Sequence, residues 1–131
     1  MAGDSSPRTP RQNLGAFGEA AAAAHLTRQG YTIREHNWRC SAGELDLVVQ
    51  QGEQVVFVEV RARRGSAYGT PEESVTPAKQ HRLVALAYAY LEAHNLPAES
   101  DWRIDVIALE IDRAGRVARL NHIVNAVGWE E

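Results

Sequence analysis

Two carboxylates interrupt strand-like runs that are otherwise apolar: Asp46 within Glu44 to Val49, and Glu59 within Gln54 to Ala62. Side chains alternate across a strand, so Val56, Val58 and Val60 point one way and Val55, Phe57, Glu59 and Arg61 the other. In the first run Leu45, Leu47 and Val49 share a face opposite Glu44, Asp46 and Val48. The runs are joined by Gln-Gly-Glu, and a two-residue turn with Gly52 first and Glu53 second suits type II′. That turn pairs Asp46 with Glu59 and Glu44 with Arg61, whereas a three-residue turn would slip the register and abolish both pairings. Directly opposed Cβ atoms lie about 4.5–5.5 Å apart, and two carboxylates so placed repel unless a proton or cation lies between them. A hard cation, Mg²⁺ or Mn²⁺, takes one or two such carboxylates together with water and substrate phosphate.

Further charge collects nearby in the sequence. Arg61, Arg63 and Arg64 precede Tyr68, a basic segment with an aromatic that suits contact with a nucleic-acid backbone. Lys79 and Gln80 fall in the first turn of a predicted helix, where a helix N-terminus favours anions, and together they could receive a phosphate. The competing readings are ordinary ones: a solvated arginine cluster, a solvated first-turn lysine, a salt bridge from Glu59 to Arg61 or Arg103, and a Glu44–Arg61 ion pair. Arg103 and Asp105 share a strand face and are expected to pair structurally. The five histidines lack zinc-type spacing and Cys40 has no partner cysteine. No nucleophile elbow or phosphate-binding glycine loop is present.

The elements that must position these residues follow from periodicity and punctuation. Met1 to Gln12 mixes Gly, Ser, Pro and Arg and is expected to be a flexible tail, leaving 13–131 as one domain. Asn13 is the expected N-cap of a first helix ending before Gly30, with Leu14, Phe17, Ala21 and Ala24 at helical spacing. Strands are expected at Tyr31 to Trp38, Glu44 to Val49 and Gln54 to Ala62. Thr76 and Pro77 then cap a second helix to about His94, with Leu83, Leu86, Ala87, Tyr90 and Leu91 as its apolar stripe. Trp102 to Ile111 and Val117 to Ile123 read as final strands about a turn at Asp112 to Arg116. The order is αβββαββ. The helix between strands three and four is a crossover that makes those two parallel neighbours in a mixed sheet.

Composition agrees with one α/β domain: 131 residues, 44% apolar and 24% charged, suffice for a single core. The net charge of −3 argues against indiscriminate DNA coating, yet eight of the fourteen basic residues lie between Arg28 and Arg82, so a local basic face is compatible with it. One cysteine and the lack of a long apolar run point to a cytoplasmic protein without a membrane span.

Taken in order, several strings carry a resemblance: G-x-x-G-E at Gly15 to Glu19, N-W-R at Asn37 to Arg39, G-E-L-D-L-V at Gly43 to Val48, F-V-E-V-R-x-R at Phe57 to Arg63, S-V-T-x-x-K-Q at Ser74 to Gln80, and R-I-D-V at Arg103 to Val106. Over about Asn13 to Trp129 the sequence resembles the uncharacterised bacterial YraN-like family, itself similar to archaeal Holliday junction resolvases and the PD-(D/E)XK nucleases. The resemblance implies a restriction-endonuclease-like αβββαβ core and a DNA endonuclease using Mg²⁺ or Mn²⁺, directed at branched or repair intermediates. It implies that Glu19, Asp46 and Glu59 hold or orient the metal, that Arg61 stands where the superfamily has lysine, and that Lys79 or Gln80 contributes from the second helix, Gln80 by orienting water. Arginine stays protonated, so Arg61 can stabilise phosphate charge and cannot act as a base. The rival expectations are a non-catalytic nucleic-acid or protein-binding module on the same fold, and a structural partner protein that uses Val124 to Trp129. A homodimer would suit symmetric junction cutting.

Overall fold

The computed structural model describes residues 10–65 and 69–127. Helix α1 (Pro10–Arg28) leads into strands β1 (Thr32–Cys40), β2 (Gly43–Gln51) and β3 (Gln54–Arg64), a 3₁₀ turn (Glu72–Ser74), helix α2 (Pro77–Ala93), and strands β4 (Trp102–Ile111) and β5 (Val117–Ile123). The five strands form one sheet in the order β1-β2-β3-β4-β5. β3 and β4 are parallel and the other neighbours antiparallel. This is the expected mixed sheet flanked by helices, in the order of a restriction-endonuclease-like core. No described helix is long and apolar enough to cross a membrane.

Each face of the sheet has its own core. On the α2 side Val55, Phe57 and Ile104 meet the predicted stripe Leu83, Leu86, Ala87, Tyr90 and Leu91. On the α1 side Ala22 and Leu26 cover Leu47, Val49, Val56, Val58, Ile107 and Leu109. Thr76 caps α2 as expected, its side chain accepting from the Lys79 N–H, with Pro77 in the first turn. Gly52 takes φ +60° and Glu53 a negative φ, the pattern of a type II′ turn. The ladder accordingly runs from Gln51↔Gln54 to Leu47↔Val58 in the expected register.

Three expectations need correction. First, α1 begins at Pro10, so residues 10–12, expected in the tail, are helical and Asn13 is not its cap. Secondly, its buried line is Gly18, Ala22 and Leu26, while Phe17 is 41% exposed and Ala24 is exposed too. The reason is close approach: a Cβ on Gly18 would stand 3.0 Å from the Ala62 Cβ, so the helix sits down on β3 through its glycine. Thirdly, Leu45 packs in the α2-side core while Leu47 and Val49 pack on the α1 side, so strict alternation fails at Asp46.

The one fully buried acid among the described residues pairs structurally with Arg103, as expected. Asp105 is fully buried and accepts from Arg103 Nε at 2.9 Å and Nη2 at 3.1 Å, from the Asn125 N–H at 2.9 Å, and meets His122 Nε2 at 2.8 Å. Arg103 also donates to Gln54 and Tyr31, so the charge is shared over β3, β4, β5 and the link between α1 and β1. Val127 is buried against the α2-side core, and the Ala126 N–H donates to Ile104. Of the described part of the proposed C-terminal interface, Val127 is thus internal packing while Val124 is 54% exposed; residues 128–131 lie outside the described residues, as does Tyr68.

The Gly18 contact makes a prediction. Gly18→Val should lift α1 from β3 and destabilise the fold by about 1–3 kcal/mol, as overpacking typically does. Urea unfolding followed by circular dichroism measures this, and an unchanged midpoint would refute the close-packing role.

Candidate active site

The main-chain pairing of β2 with β3 ends where the acids begin. Continuing the register past Leu47↔Val58 makes Asp46 and Glu59 the next opposed positions. There the ladder is replaced: the Val60 N–H, which would serve a β2 carbonyl, donates to Asp46 Oδ2 at 2.9 Å. On the other side of β2, the β1 register places Asn37 next to Asp46. Asn37 has φ +50°, a left-handed conformation that asparagine tolerates better than most residues. Both strands bend at the same level, and β2 turns away from β3.

The bend gathers residues from three elements. Asn37 Nδ2 donates to Glu19 Oε1 at 2.9 Å, tying the α1 carboxylate to the sheet. Glu59 is mostly buried, with 12% of its side chain exposed, and Arg61 Nη1 approaches its Oε2 at 3.4 Å. Asp46, Glu59, Lys79 and Arg82 line one recess of about 280 Å³ with Gly43, on the α2 side. Glu19 lines a neighbouring groove with Arg61, Arg63 and Arg64 on the α1 side.

Electrostatics mark Asp46 as the unsatisfied member. Its burial raises the carboxyl pKa well above the ordinary range, to about 8, and the adjacent Glu59 carboxylate pushes in the same direction. The Val60 N–H opposes that rise, while Glu19 and a hydrogen bond shared with Glu59 add to it. Asp105, equally a strand acid, is ringed by cationic and neutral donors; Asp46 faces carboxylates. A proton relieves that repulsion below about pH 8, and a hard divalent cation bound by carboxylates and water would do so where the carboxyl has lost that proton. Among the described residues no group of three or more His, Cys, Asp or Glu side chains is arranged to hold a metal ion; the carboxylates that could take part in holding one are Asp46 and Glu59, with Glu19 beside them.

The remaining anticipated residues divide. Lys79 faces the carboxylate recess. Gln80 turns back to donate to the Val75 carbonyl at 3.2 Å and is not among the residues lining the recess. Glu44 pairs with Arg39 at 3.1 Å rather than with Arg61, because the strands have diverged before their side chains could meet. Arg61 donates instead through Nε to Ser74 Oγ at 2.8 Å.

Two residues carry parts that strand periodicity does not reveal. Asn37 positions Glu19; its sequence signals are an asparagine inside a strand run and its place in the N-W-R string, neither of which discloses that contact. Ser74 orients Arg61 and donates to the Pro71 carbonyl. Its turn is clamped to β5, where Arg119 binds Glu72 at 2.6 and 2.8 Å and Glu110 at 2.7 Å. Those bonds hold the Glu72 pKa down to about 2.

Asp46 makes a pH prediction with a definite sign. A carboxyl whose native pKa exceeds its unfolded value binds more protons when folded, so stability falls as pH rises from about 4 to about 8. Asp46→Asn keeps an acceptor for the Val60 N–H and removes the charge. It should flatten that fall and raise stability at pH 8, read from urea midpoints across the range; a parallel pH profile in both proteins would contradict the assignment.

Comparison with known proteins gives a consistent result. A model of the uncharacterised protein family UPF0102 matches residues 18–109. A UPF0102 protein of Chloroflexus aurantiacus is 57% identical over 120 residues, covering 92% of this chain and 97% of its own. Relatives from Roseiflexus castenholzii and Moorella thermoacetica are 47% and 48% identical, covering 89% and 88% of this chain and 94% and 96% of theirs. All three carry the family designation alone.

Proposed function

The chain belongs to the uncharacterised protein family UPF0102, and we propose that it is a divalent-cation-dependent endonuclease that hydrolyses phosphodiester bonds in DNA, branched or repair intermediates in particular. The observation that carries this reading is the opposed Asp46–Glu59 pair at the break in the β2–β3 ladder, with Glu19 tied in through Asn37. The nuclease-like fold supports the reaction class by analogy, and the carboxylate pair supports the cation.

The donor set suits Mg²⁺ or Mn²⁺, being oxygen only and leaving most positions to water and phosphate. Asp46 and Glu59 would hold the ion, and Glu19 would orient its water. When bound, such a cation supplies an activated water and neutralises charge developing on the phosphoryl group. The chain's own residues do the rest. Lys79, at the amino end of α2, faces the recess from which a phosphate oxygen would be bound. Arg61, held by Ser74, presents a permanent positive charge to the pentacovalent centre and draws no proton from it. In this reading Gln80 would orient water only after leaving the Val75 carbonyl.

One observation favours a second reading. The Arg61 guanidinium already lies against Glu59, partly offsetting the charge that would attract a cation. A module that binds DNA through this site without cutting it would keep the same contacts.

End-labelled single-stranded, duplex and four-way-junction DNA incubated in Mn²⁺ separates the two. Cleavage is expected, and Glu59→Gln should reduce it beyond the ~10–100-fold that loss of an outer-shell partner costs. Metal-dependent DNA binding with no cleavage would establish the module instead, and cleavage insensitive to Glu59→Gln would place the chemistry elsewhere.

A further inference from the structure

Beyond Val58, β3 runs on to Arg64 paired with β4 alone. Along a strand the main-chain groups of alternate residues address opposite neighbours. In β3 the Val55 N–H donates to Asp101 at the start of β4, whereas the Val60 N–H donates to Asp46 on the β2 side. By the same alternation, Ala62 and Arg64 present their N–H groups to the side that β2 has left. The β2 ladder, which ends at Leu47↔Val58, offers neither of them an acceptor. A sheet interior thus contains a short open edge, and such an edge is a row of N–H and C=O groups awaiting a partner.

The surroundings say what kind of partner. The edge forms one wall of a groove of about 670 Å³ whose other wall is α1, at Leu14, Gly15 and Glu19. Three arginines, Arg61, Arg63 and Arg64, line it against one glutamate, so its charge suits an anionic chain. Val60, Ala62 and Leu14 add apolar surface. A Cβ on Gly15 would meet nothing within 4 Å, so the helix leaves room there, in contrast to its tight seat at Gly18.

We infer that one unpaired nucleic-acid strand lies along this edge, with successive phosphates accepting hydrogen bonds from the main-chain N–H groups of Ala62 and Arg64. The inference rests on the nuclease reading for the identity of its ligand and adds the form that ligand takes. Donors two residues apart along a strand are about 6.6–6.8 Å apart, comparable to the spacing of neighbouring phosphates in an extended strand. These donors sit in a recess rather than on a ridge, and a backbone must bend inward to reach them. A duplex, with a persistence length of ~50 nm, resists that bend, while a single strand does not. The track passes Glu19 and Arg61 and so delivers the strand to the carboxylate pair.

The test is binding in EDTA, which leaves cleavage out of the measurement. Fluorescence anisotropy of the full chain should show a single-stranded oligonucleotide bound at least about 10-fold tighter than a duplex of equal length. Replacing the amide at Ala62 by an ester removes the N–H while keeping every side chain. It should weaken single-strand binding by about 10-fold or more, the loss expected for one hydrogen bond to a charged group, without changing the salt slope. Arg64→Gln should instead reduce that slope by about 0.7. Gly15→Leu fills the groove where the fold has space, and should abolish the single-strand preference while leaving the unfolding midpoint unchanged or raised. Duplex bound as tightly as single strand, or affinity indifferent to the ester and to Gly15→Leu, would overturn the track even if the Mn²⁺ assay shows cleavage. An edge-dependent dimer in sedimentation, lost with the ester, would also overturn it, by showing that a second copy occupies the edge. Single-strand binding with these dependences and no cleavage would leave the track standing and remove the nuclease.

Discussion

The architecture of the site turns on one hydrogen bond, from the Val60 N–H to the Asp46 carboxylate. A main-chain donor in a sheet ordinarily meets a main-chain acceptor, and here a side chain has taken that place. Once it has, β2 need not follow β3. Leu45 crosses into the α2-side core, Asn37 adopts a left-handed backbone beside it, and the ladder stops at Leu47↔Val58. β3 continues paired with β4 alone, carrying Glu59 and Arg61 beyond the β2 ladder and into reach of both helices. The acid cluster and the open edge are two consequences of the same substitution of acceptor.

What keeps that opening from collapsing is anchoring on every side. α1 sits on β3 through Gly18, and the next residue, Glu19, is thereby aimed at the bend. The capped amino end of α2 brings Lys79 and Arg82 over the carboxylates. The 3₁₀ turn carrying Ser74 is clamped to β5 by Arg119, which fixes where Arg61 points. These are interactions between distant segments, and each contributes to positioning a side chain that it does not itself resemble in chemistry.

Asp46 and Asp105 illustrate how environment separates a strained acid from a satisfied one. Both interrupt apolar strands. Asp105 is the more buried, and every direction from its carboxylate meets a donor, so its charge is compensated inside the protein. Asp46 meets one N–H and two other carboxylates, so its ionised form lacks the ring of donors that Asp105 has. Burial alone would rank them in the opposite order of interest.

Much of this was written in local pattern. Alternating valines, the Gly52 turn and the Thr76-Pro77 cap determine the element order and the β2–β3 register, because each is a short-range steric or hydrogen-bonding preference; that register is also what opposes Asp46 to Glu59. The stripe of α2 was legible for the same reason. The buried face of α1 was not, since alanine and glycine carry little periodic signal and the choice between Gly18 and Phe17 depends on how close β3 lies. Nor could alternation disclose that β2 leaves β3 at Asp46, that Glu44 goes to Arg39, or that Asn37 and Ser74 hold Glu19 and Arg61. Those outcomes were decided by contacts between segments far apart in the chain: a carboxylate competes successfully for a main-chain donor only when the folded sheet has brought the two together and excluded the water that would otherwise serve both.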